Sequence, residues 1–321
     1  MKKRIGLVLL IVLLTMLVIY LGISYAVYDK LSRVTAGGGD NARNTPASFV
    51  MTYAEWPSFD ERPYFMPDYE AVRIPSRQAG LSLAGWYVPG KAGSPVVIVT
   101  HGVNGCKCDP NTLTVAGMLH RNGFNVLLFD MRNHGQSDSD GGRTAIGNKE
   151  FEDVLGAWDW LIARKHFTPK EIGLYGESLG AGTTLIAFGE EPRVAAAWVD
   201  SPYSDLKEII DEELIRNHYP TILTDGAIFM ARVVSGDNLL AHSPQEAIQN
   251  DAGRPIFIVH GTGDQRINVH HTRQLAALAA QDGANVTVWM PEGIRHVAAE
   301  FDLSREYESR LVAFFNQSLS H

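Results

Sequence analysis

The sequence predicts an α/β fold, a mostly parallel sheet with helices on both faces, preceded by a membrane-spanning helix. The helix is predicted by a long uncharged segment at residues 5–28. The sheet is predicted by short apolar runs that alternate with segments of helical periodicity from residue 68 onward. Several of these runs are unbroken Val, Ile, Leu and Phe, which is typical of strands buried on both faces.

The N-terminal segment has the features of an uncleaved anchor. Residues 2–4 are cations, and the most apolar part, 5–23, nearly spans a ~30 Å hydrocarbon layer at ~1.5 Å per residue. The apolar region of a secretory signal is shorter, ~7–15 residues, although cleavage after Ala26 and secretion is the alternative. Because the cations that follow, Lys30 and Arg33, are fewer, we expect the body to lie outside the cytoplasm.

The rest of the chain is expected to divide into three parts. Residues 29–48 predict a flexible linker, because 35–41 is rich in Gly and has nothing to bury. Residues 49–67 carry aromatics and Pro without a clear period, which indicates an irregular arm lying on the body. Residues 68–321 form the folded domain, with a helical cap inserted at about 202–252, where a single helix would suffice.

Each element of this domain is predicted from its own pattern. Two alternating stretches, 69–75 and 81–88, indicate an antiparallel pair. The further strands are expected at 96–100, 125–130, 171–175, 194–199, 255–260 and 285–290. Helices are expected at 111–121, 149–164, 179–188, 269–281 and 304–317, with 205–217 and 227–234 in the cap. The apolar side chains of the cap supply either an acyl pocket or core packing.

Composition excludes several classes of protein. The 321 residues are 45% hydrophobic and 20% charged, which is a globular composition. The net charge of −8 argues against nucleic acid as a partner. Cys106 and Cys108 offer two ligands where a structural zinc needs four, and a bridge between residues two apart is expected to be strained. We therefore expect free thiols, no metal and no cofactor.

The segment Gly176-Glu177-Ser178-Leu179-Gly180 is a G-x-S-x-G between a predicted strand and a predicted helix. A sharp turn in this context holds the Ser178 hydroxyl in a strained, exposed position above the sheet. The helix N-terminus beside it favours developing negative charge. A Ser that only caps the helix is the alternative. The near match at 80–84 lies within an alternating strand and is set aside.

A serine nucleophile needs a base, and the base needs an acid that orients it. With this architecture the partners follow in the order Ser, Asp, His, each in a loop after a late strand. Asp264 follows the strand at 255–260, and His296 follows the strand at 285–290. Both therefore lie at carboxyl ends of strands, where open α/β sheets place their sites.

The other histidines fit the role of the base less well. His260 precedes the acid, so we expect it to pack or bond locally at the end of its strand. His270 and His271 open a helix and are expected to face solvent. His134 is expected in a hydrogen-bonded turn, and His101 in a structural role.

An oxyanion intermediate needs two hydrogen-bond donors. One is the backbone N–H of Leu179. The other is expected from the loop His101-Gly102-Val103-Asn104-Gly105, where the N–H of Val103 is the candidate.

From about residue 67 onward the chain resembles the α/β-hydrolase superfamily. Within it, the chain is similar to membrane-anchored serine hydrolases related to monoacylglycerol lipases, thioesterases and serine aminopeptidases. The oxyanion loop departs from the His-Gly-Gly-Gly of many lipases, and Arg295 stands where Gly usually precedes the histidine. We expect Arg295 to point to solvent, with attraction of an anionic substrate as the alternative. The motifs that carry the resemblance are Ser76-Arg77, Gly80-Leu81, Gly85-Trp86, His101-Gly102, Asp130-Met131-Arg132, His134-Gly135, Ser137, Gly176–Gly180, Ser243-Pro244, His260–Asp264 and His296.

The resemblance implies the α/β-hydrolase fold and a catalytic serine with Asp264 and His296 as its partners. The expected function is hydrolysis of an ester-type acyl bond in a small or lipid-like substrate, without cofactor. A thioester or a peptide would use the same triad. A catalytically silent binding module tethered to the membrane is the alternative of a different class.

Overall fold

The computed structural model of the protein describes residues 2–34 and 39–320. At its centre is an eight-stranded sheet with the order β1-β2-β4-β3-β5-β6-β7-β8. Its strands are β1 (Glu70–Pro75), β2 (Ser82–Val88), β3 (Val96–Thr100), β4 (Asn125–Phe129), β5 (Ile172–Glu177), β6 (Ala196–Asp200), β7 (Ile256–Val259) and β8 (Val286–Trp289). Strand β2 runs antiparallel to β1 and to β4, and the other neighbours pair in parallel.

Some of the helices cover the two faces of the sheet, and others form the N-terminal segment and the cap. They are α1 (Lys2–Ser32), α2 (Pro110–Arg121), α3 (Phe151–Lys165), α4 (Leu179–Glu190), α5 (Leu206–Arg216), α6 (Thr224–Met230), α7 (Pro244–Gln249), α8 (His270–Asp282), α9 (Ala299–Asp302) and α10 (Ser304–Ser318). Side chains of α3, α4, α7 and α8 form one apolar layer on the sheet, and side chains of α2 and α10 form the other. The predicted α/β-hydrolase fold is confirmed, including its antiparallel N-terminal pair.

The cap comprises α5, α6, a π-helical turn at Ala231–Ser235 and α7, all between β6 and β7. Its apolar side chains form a cluster with the C-terminal part of α1. Ile209, Ile210 and Leu214 of the cap are buried there together with Val27 and Tyr28 of α1. Core packing, the second of the two predicted roles, therefore accounts for these cap residues.

Helix α1 has 31 residues and is long and apolar enough to cross a membrane, with a mean hydropathy of 2.9 over its most apolar 18 residues. Residues 2–19 are exposed, whereas the last third of the helix lies against α6. The Tyr20 hydroxyl donates to the carbonyl of Ile222 at 2.9 Å. A Cβ on Gly226 would come within 2.1 Å of the Ser24 hydroxyl, so glycine permits this close approach. The anchor and the cap are thus in direct contact.

Helix α1 continues to Ser32, four residues beyond the predicted anchor. Residues 29–34 differ from the predicted linker because Asp29 pairs with Arg143, and the N–H of Val34 donates to the carbonyl of Gly142 at 3.1 Å. Later in the same segment, Asn44 is buried and donates to the carbonyl of Cys108 at 3.2 Å. Residues 35–38 of the predicted linker lie outside the described residues.

The arm at residues 49–67 lies on the helix layer that contains α2. Phe49, Tyr64 and Met66 are buried in that layer. Between these buried points, Tyr53 and Trp56 extend toward the carboxyl ends of the parallel strands, where the candidate site lies. The arm therefore belongs to the surroundings of the site.

Candidate active site

Ser178 lies in the sharp turn between β5 and α4. Its backbone has φ 53° and ψ −120°, a strained conformation for a residue with a side chain. Glycines make this turn possible. A Cβ on Gly176 would lie 2.2 Å from the carbonyl oxygen of Gly180, and a Cβ on Gly180 would lie 2.4 Å from the carbonyl oxygen of Thr100. The turn presents the Ser178 hydroxyl to the space above the sheet.

The structure brings Ser178, His296 and Asp264 together in one hydrogen-bonded chain. The His296 Nε2 atom lies 2.9 Å from the Ser178 Oγ atom. On the other side of the ring, Nδ1 lies 2.7 Å from Oδ2 of Asp264. A carboxylate only accepts, so Nδ1 carries the proton and Nε2 accepts the proton of the serine hydroxyl. This arrangement can transfer the hydroxyl proton to the imidazole.

The Asp264 side chain is fully buried and surrounded by donors. The N–H groups of Arg266 and Ile267 donate to its Oδ1 atom at 2.7 and 2.9 Å. The Nε2 atom of His260 lies 3.2 Å from Oδ2. Burial alone would raise the pKa of Asp264, but the hydrogen bonds from His260, His296 and Ile267 outweigh it and hold the pKa well below its usual range. Asp264 is therefore a carboxylate at neutral pH.

His260 is a neighbour of the acid that sequence reasoning missed. Its ring is fully buried at the end of β7, with Nδ1 2.7 Å from the Thr272 hydroxyl and Nε2 3.0 Å from the carbonyl oxygen of Ile267. The expected local bonding is present, and the contact with Asp264 adds to it. The spacing of four residues between His260 and Asp264 was the available signal.

Among the other histidines, the predictions for His134 and His101 are confirmed and the prediction for His271 is wrong. The His134 Nδ1 atom donates to the carbonyl of Arg132 at 2.8 Å within a turn, as expected. The Nε2 atom of His101 accepts the N–H of Met131 at 3.0 Å, so its role is structural. His271 was expected to face solvent, and this prediction is wrong, because α5 of the cap packs over it and its side chain is fully buried.

The two predicted oxyanion donors flank the serine. Leu179 is the first residue of α4, so its N–H has no partner within the helix. Gly102 lies beside Ser178, since a Cβ on Gly102 would be 3.4 Å from the Cβ of Ser178. Val103 follows it and lines the same cavity as the serine. Leu179 is thus adjacent to Ser178 in the turn, and Val103 lines the same cavity, so the assignment of their N–H groups as oxyanion donors stays a prediction.

The same loop continues into Cys106 and Cys108, which form a disulfide. The expectation of free thiols is therefore wrong. A turn in which Asp109 accepts the N–H of Cys106 at 3.0 Å brings the two Cα atoms to 5.0 Å, within the range of ordinary disulfides. Between them, the buried Lys107 pairs with Asp130 at 2.5 Å. These contacts fix the loop that carries Val103.

Three further carboxyl groups, Glu177, Asp200 and Glu300, are buried near the serine. Burial raises the pKa of Asp200 to about 6. Burial and mutual repulsion raise the pKa values of Glu177 and Glu300 well above the usual value. Asp264, whose pKa is lowered, is the carboxylate in contact with His296.

A cavity of about 670 Å³ opens above Ser178 and His296. The arm lines it with Tyr53 and Trp56, and the Trp56 ring lies 4.5 Å from the ring of Phe301. Sequence reasoning placed no arm residue in the site, because the arm has no period that would orient its side chains.

Cationic side chains also line this cavity. Arg295 is more than half exposed, as expected, and its guanidinium lies 5.3 Å from the centre of the Trp56 ring. The cap contributes Arg216, and Arg266 pairs with Glu213 nearby. Acidic partners offset these cations, because Arg295 lies 3.8 Å from Glu55 and Arg216 lies 3.7 Å from Glu213.

Comparisons with known proteins agree with this fold. An uncharacterized protein of Mycobacterium tuberculosis is 28% identical over 213 residues, which cover 66% of this chain and 68% of that protein. The thiohydrolase aneE of Aspergillus aculeatus is 28% identical over 53% of this chain and 51% of its own length. An esterase structure from Pyrococcus furiosus has a TM-score of 0.64 at 22% identity and covers 82% of this chain and 95% of that one.

The family comparison is more specific than these pairwise likenesses. Residues 111–321 match the sequence model of the prolyl oligopeptidase family, and the matched segment includes Ser178, Asp264 and His296. The match covers more than half of the chain. The chain therefore belongs to the prolyl oligopeptidase family and has the α/β-hydrolase fold.

Proposed function

We propose that the protein is a membrane-anchored serine hydrolase that cleaves an ester-type acyl bond through an acyl-enzyme on Ser178. The observation that carries this proposal is the hydrogen-bonded chain from Ser178 through His296 to Asp264, built on a strained turn. Such a chain raises the reactivity of a hydroxyl that is otherwise a weak nucleophile. The prolyl oligopeptidase family and the thiohydrolase relative support a hydrolase.

The chemistry follows from these positions. The Ser178 oxygen attacks the substrate carbonyl carbon while His296 takes the hydroxyl proton at Nε2. Asp264 holds the ring with its proton on Nδ1 and stabilises the imidazolium that forms. The N–H groups of Val103 and Leu179 donate to the oxyanion. His296 then gives its proton to the leaving group, and later activates the water that releases the acyl group.

The substrate class follows from the cavity. Aromatic rings of Trp56 and Phe301 offer apolar surface for an acyl or alcohol group. The open cavity suits small acyl esters, and the membrane helix favours lipid-like ones. The family name supports peptide hydrolysis as a second candidate, and the thiohydrolase relative supports thioester hydrolysis.

A panel of model substrates tests this function. Full-length protein in detergent is assayed on p-nitrophenyl esters of increasing chain length, on the matching thioesters and on peptide amides. Ester turnover is expected, and Ser178→Ala should lower it about 10⁴-fold or more. Ser139→Ala, which changes an exposed serine, is the matched control. Absence of turnover on every substrate would favour the silent binding module.

We infer that α1 stays attached and that the body lies outside the cytoplasm. Val27 is 1% exposed within the cluster between α1 and the cap. Cleavage after Ala26 would create a charged amino terminus at this buried position, which is unfavourable. The disulfide at Cys106 and Cys108 supports an oxidising compartment. The intact mass of purified protein is expected to include residues 1–26, and a chain that begins at Val27 would contradict the anchor.

A further inference from the structure

Four potential metal ligands meet where the cap joins the body. Glu208 and Glu212 lie one turn apart on α5, and His270 and His271 are the first two residues of α8. The His270 Nε2 atom lies 2.9 Å from Oε1 of Glu208 and 3.5 Å from Oε1 of Glu212. The His271 Nε2 atom lies 3.5 Å from the other oxygen of Glu212.

The His271 ring is oriented into this cluster and lacks a partner there. Its side chain is fully buried, and Nε2 has no hydrogen-bond partner among the described residues. An imidazole binds a metal through a ring nitrogen that carries no proton.

The opposite edge of the His271 ring is held by a hydrogen-bonded network. Its Nδ1 atom lies 2.8 Å from the Ser204 hydroxyl and 3.2 Å from the Ser204 backbone N–H. The Ser204 hydroxyl donates to Gln274 Oε1 at 2.5 Å, and the Gln274 amide donates to Glu208 at 3.0 Å. The Ser204 N–H donates to Nδ1, so a metal ion at Nε2 requires the ring proton to move to Nδ1. The Ser204 hydroxyl can accept that proton, because its own hydrogen bond is donated to Gln274. A second hydrogen bond of this kind is typical of metal-binding histidines.

The spacing of the ligand atoms suits one small ion. Zinc takes four His nitrogen and carboxylate oxygen ligands at ~2.0–2.2 Å, which places neighbouring ligand atoms of a tetrahedron about 3.4 Å apart. One ligand atom from each of Glu208, His270 and His271 lies within 4.8 Å of the other two. A Glu212 oxygen lies 3.5 Å from each histidine, Oε1 from His270 and Oε2 from His271.

The charge of the cluster also favours a cation. Within the described chain, no Lys or Arg nitrogen comes within 4.0 Å of a carboxylate oxygen of Glu208 or Glu212. Two carboxylates and a buried imidazole therefore converge, and Arg216 and Arg266 act on Glu212 only from beyond 4.0 Å.

We propose that Glu208, Glu212, His270 and His271 bind one divalent metal ion, and that zinc suits this donor set. Four protein ligands leave no open position, so the ion is structural. It joins the cap helix α5 to the body helix α8. At the end of α5, Arg216 donates to the carbonyl of Gln265 at 2.8 Å, beside the Asp264 loop. The ion thus stabilises the cap where it borders the active-site cavity.

Zinc binding to the whole protein tests this site. Full-length protein in detergent is treated with a chelator, dialysed and titrated with zinc chloride, with bound zinc measured by mass spectrometry and calorimetry. One zinc per chain and a higher Tm are expected. Glu212→Gln and His270→Gln change partly exposed side chains and are expected to fold, and each should weaken zinc binding at least 10-fold. Both effects are independent of hydrolytic activity.

A matched control uses the other cluster with a histidine, Glu190, His242 and Glu246, which is more exposed. His242→Gln should leave zinc binding unchanged. Absence of stoichiometric zinc in the wild-type protein would overturn the proposal. Unchanged binding in Glu212→Gln and His270→Gln, or its loss in His242→Gln, would overturn it as well.

Discussion

Asp264, the proposed acid of the triad, is buried and has hydrogen-bond donors at both carboxylate oxygens. We predict that Asp264→Asn lowers kcat about 10⁴-fold, because the amide neither holds the His296 proton on Nδ1 nor stabilises the imidazolium. Ester turnover is measured with purified protein, and Asp225→Asn, an exposed carboxylate paired with Lys207, is the control. A value within tenfold of wild type would place the acid elsewhere.

Glu300 should make stability depend on pH. Its pKa is raised in the folded protein by burial and by repulsion from Glu177 and Asp200. A raised folded pKa contributes stability below the unfolded pKa, and this contribution is lost as pH rises toward the folded pKa. The contribution of Glu300 to stability should therefore decline from about pH 4.5 upward.

Replacing this carboxyl removes the effect. Glu300→Gln should raise Tm more at pH 8 than at pH 5, with a difference of order 1 kcal/mol or more in unfolding free energy. Glu306→Gln, on the exposed side of α10, is the control and should show no such trend. Equal shifts at both pH values would contradict the assigned cause.

For individual residues, the sequence predicts a position in the site only where the signal is local. Ser178 follows from a motif in its strand-turn-helix context, and Asp264 and His296 follow from chain order. The contact of His260 with Asp264 was missed although the two are four residues apart, whereas His271 was misjudged because its burial depends on a distant segment. Helix α5 buries His271, and no pattern around residue 271 contains that information.

The arm lines the candidate site, a role that the sequence did not predict. Of the two roles predicted for the apolar side chains of the cap, core packing against α1 is the one observed, while Trp56 of the arm lines the cavity. We predict that Trp56→Ala raises KM about tenfold for long-chain esters and changes short-chain turnover little. Phe229→Ala, an exposed cap residue, is the control. Equal effects of both variants on chain-length preference would contradict this role.

The contact between α1 and α6 requires a residue without a side chain. We predict that Gly226→Ala lowers the unfolding free energy by about 1–3 kcal/mol, because its Cβ would overlap Ser24 and Tyr20. Gly22→Ala, on the partner helix α1, is the control, because a Cβ there would meet nothing within 4 Å. Thermal unfolding in detergent measures both variants. An unchanged Tm for Gly226→Ala would mean that α1 does not dock on the cap.

At the scale of the whole molecule, the predicted and the observed elements agree best in the sheet and the helices around it. Each predicted strand and each predicted helix of the body agrees with the structure to within two residues at its ends. Buried apolar runs and the glycines that end helices are local signals, which is why they could be predicted. The contact of the anchor with the cap was not predictable. Helix α1 and the cap are about two hundred residues apart in sequence. An apolar helix face predicts that it will be buried, but it does not indicate which segment will cover it.

This contact changes the expected mechanical relation between anchor and body. A decoupled anchor was expected from the glycine-rich segment, but Val27 and Tyr28 are part of the apolar cluster of the cap. Helix α1 therefore packs directly against the cap, which contributes Arg216 to the lining of the candidate active-site cavity.

Covalent labelling of the nucleophile tests the central claim most directly. Full-length protein in detergent is treated with a fluorophosphonate, digested and mapped by mass spectrometry. The proposed mechanism predicts one modified residue, Ser178, with labelling lost in Ser178→Ala and strongly slowed in His296→Ala. Modification of a different serine, or full ester turnover by protein whose Ser178 is blocked, would contradict it.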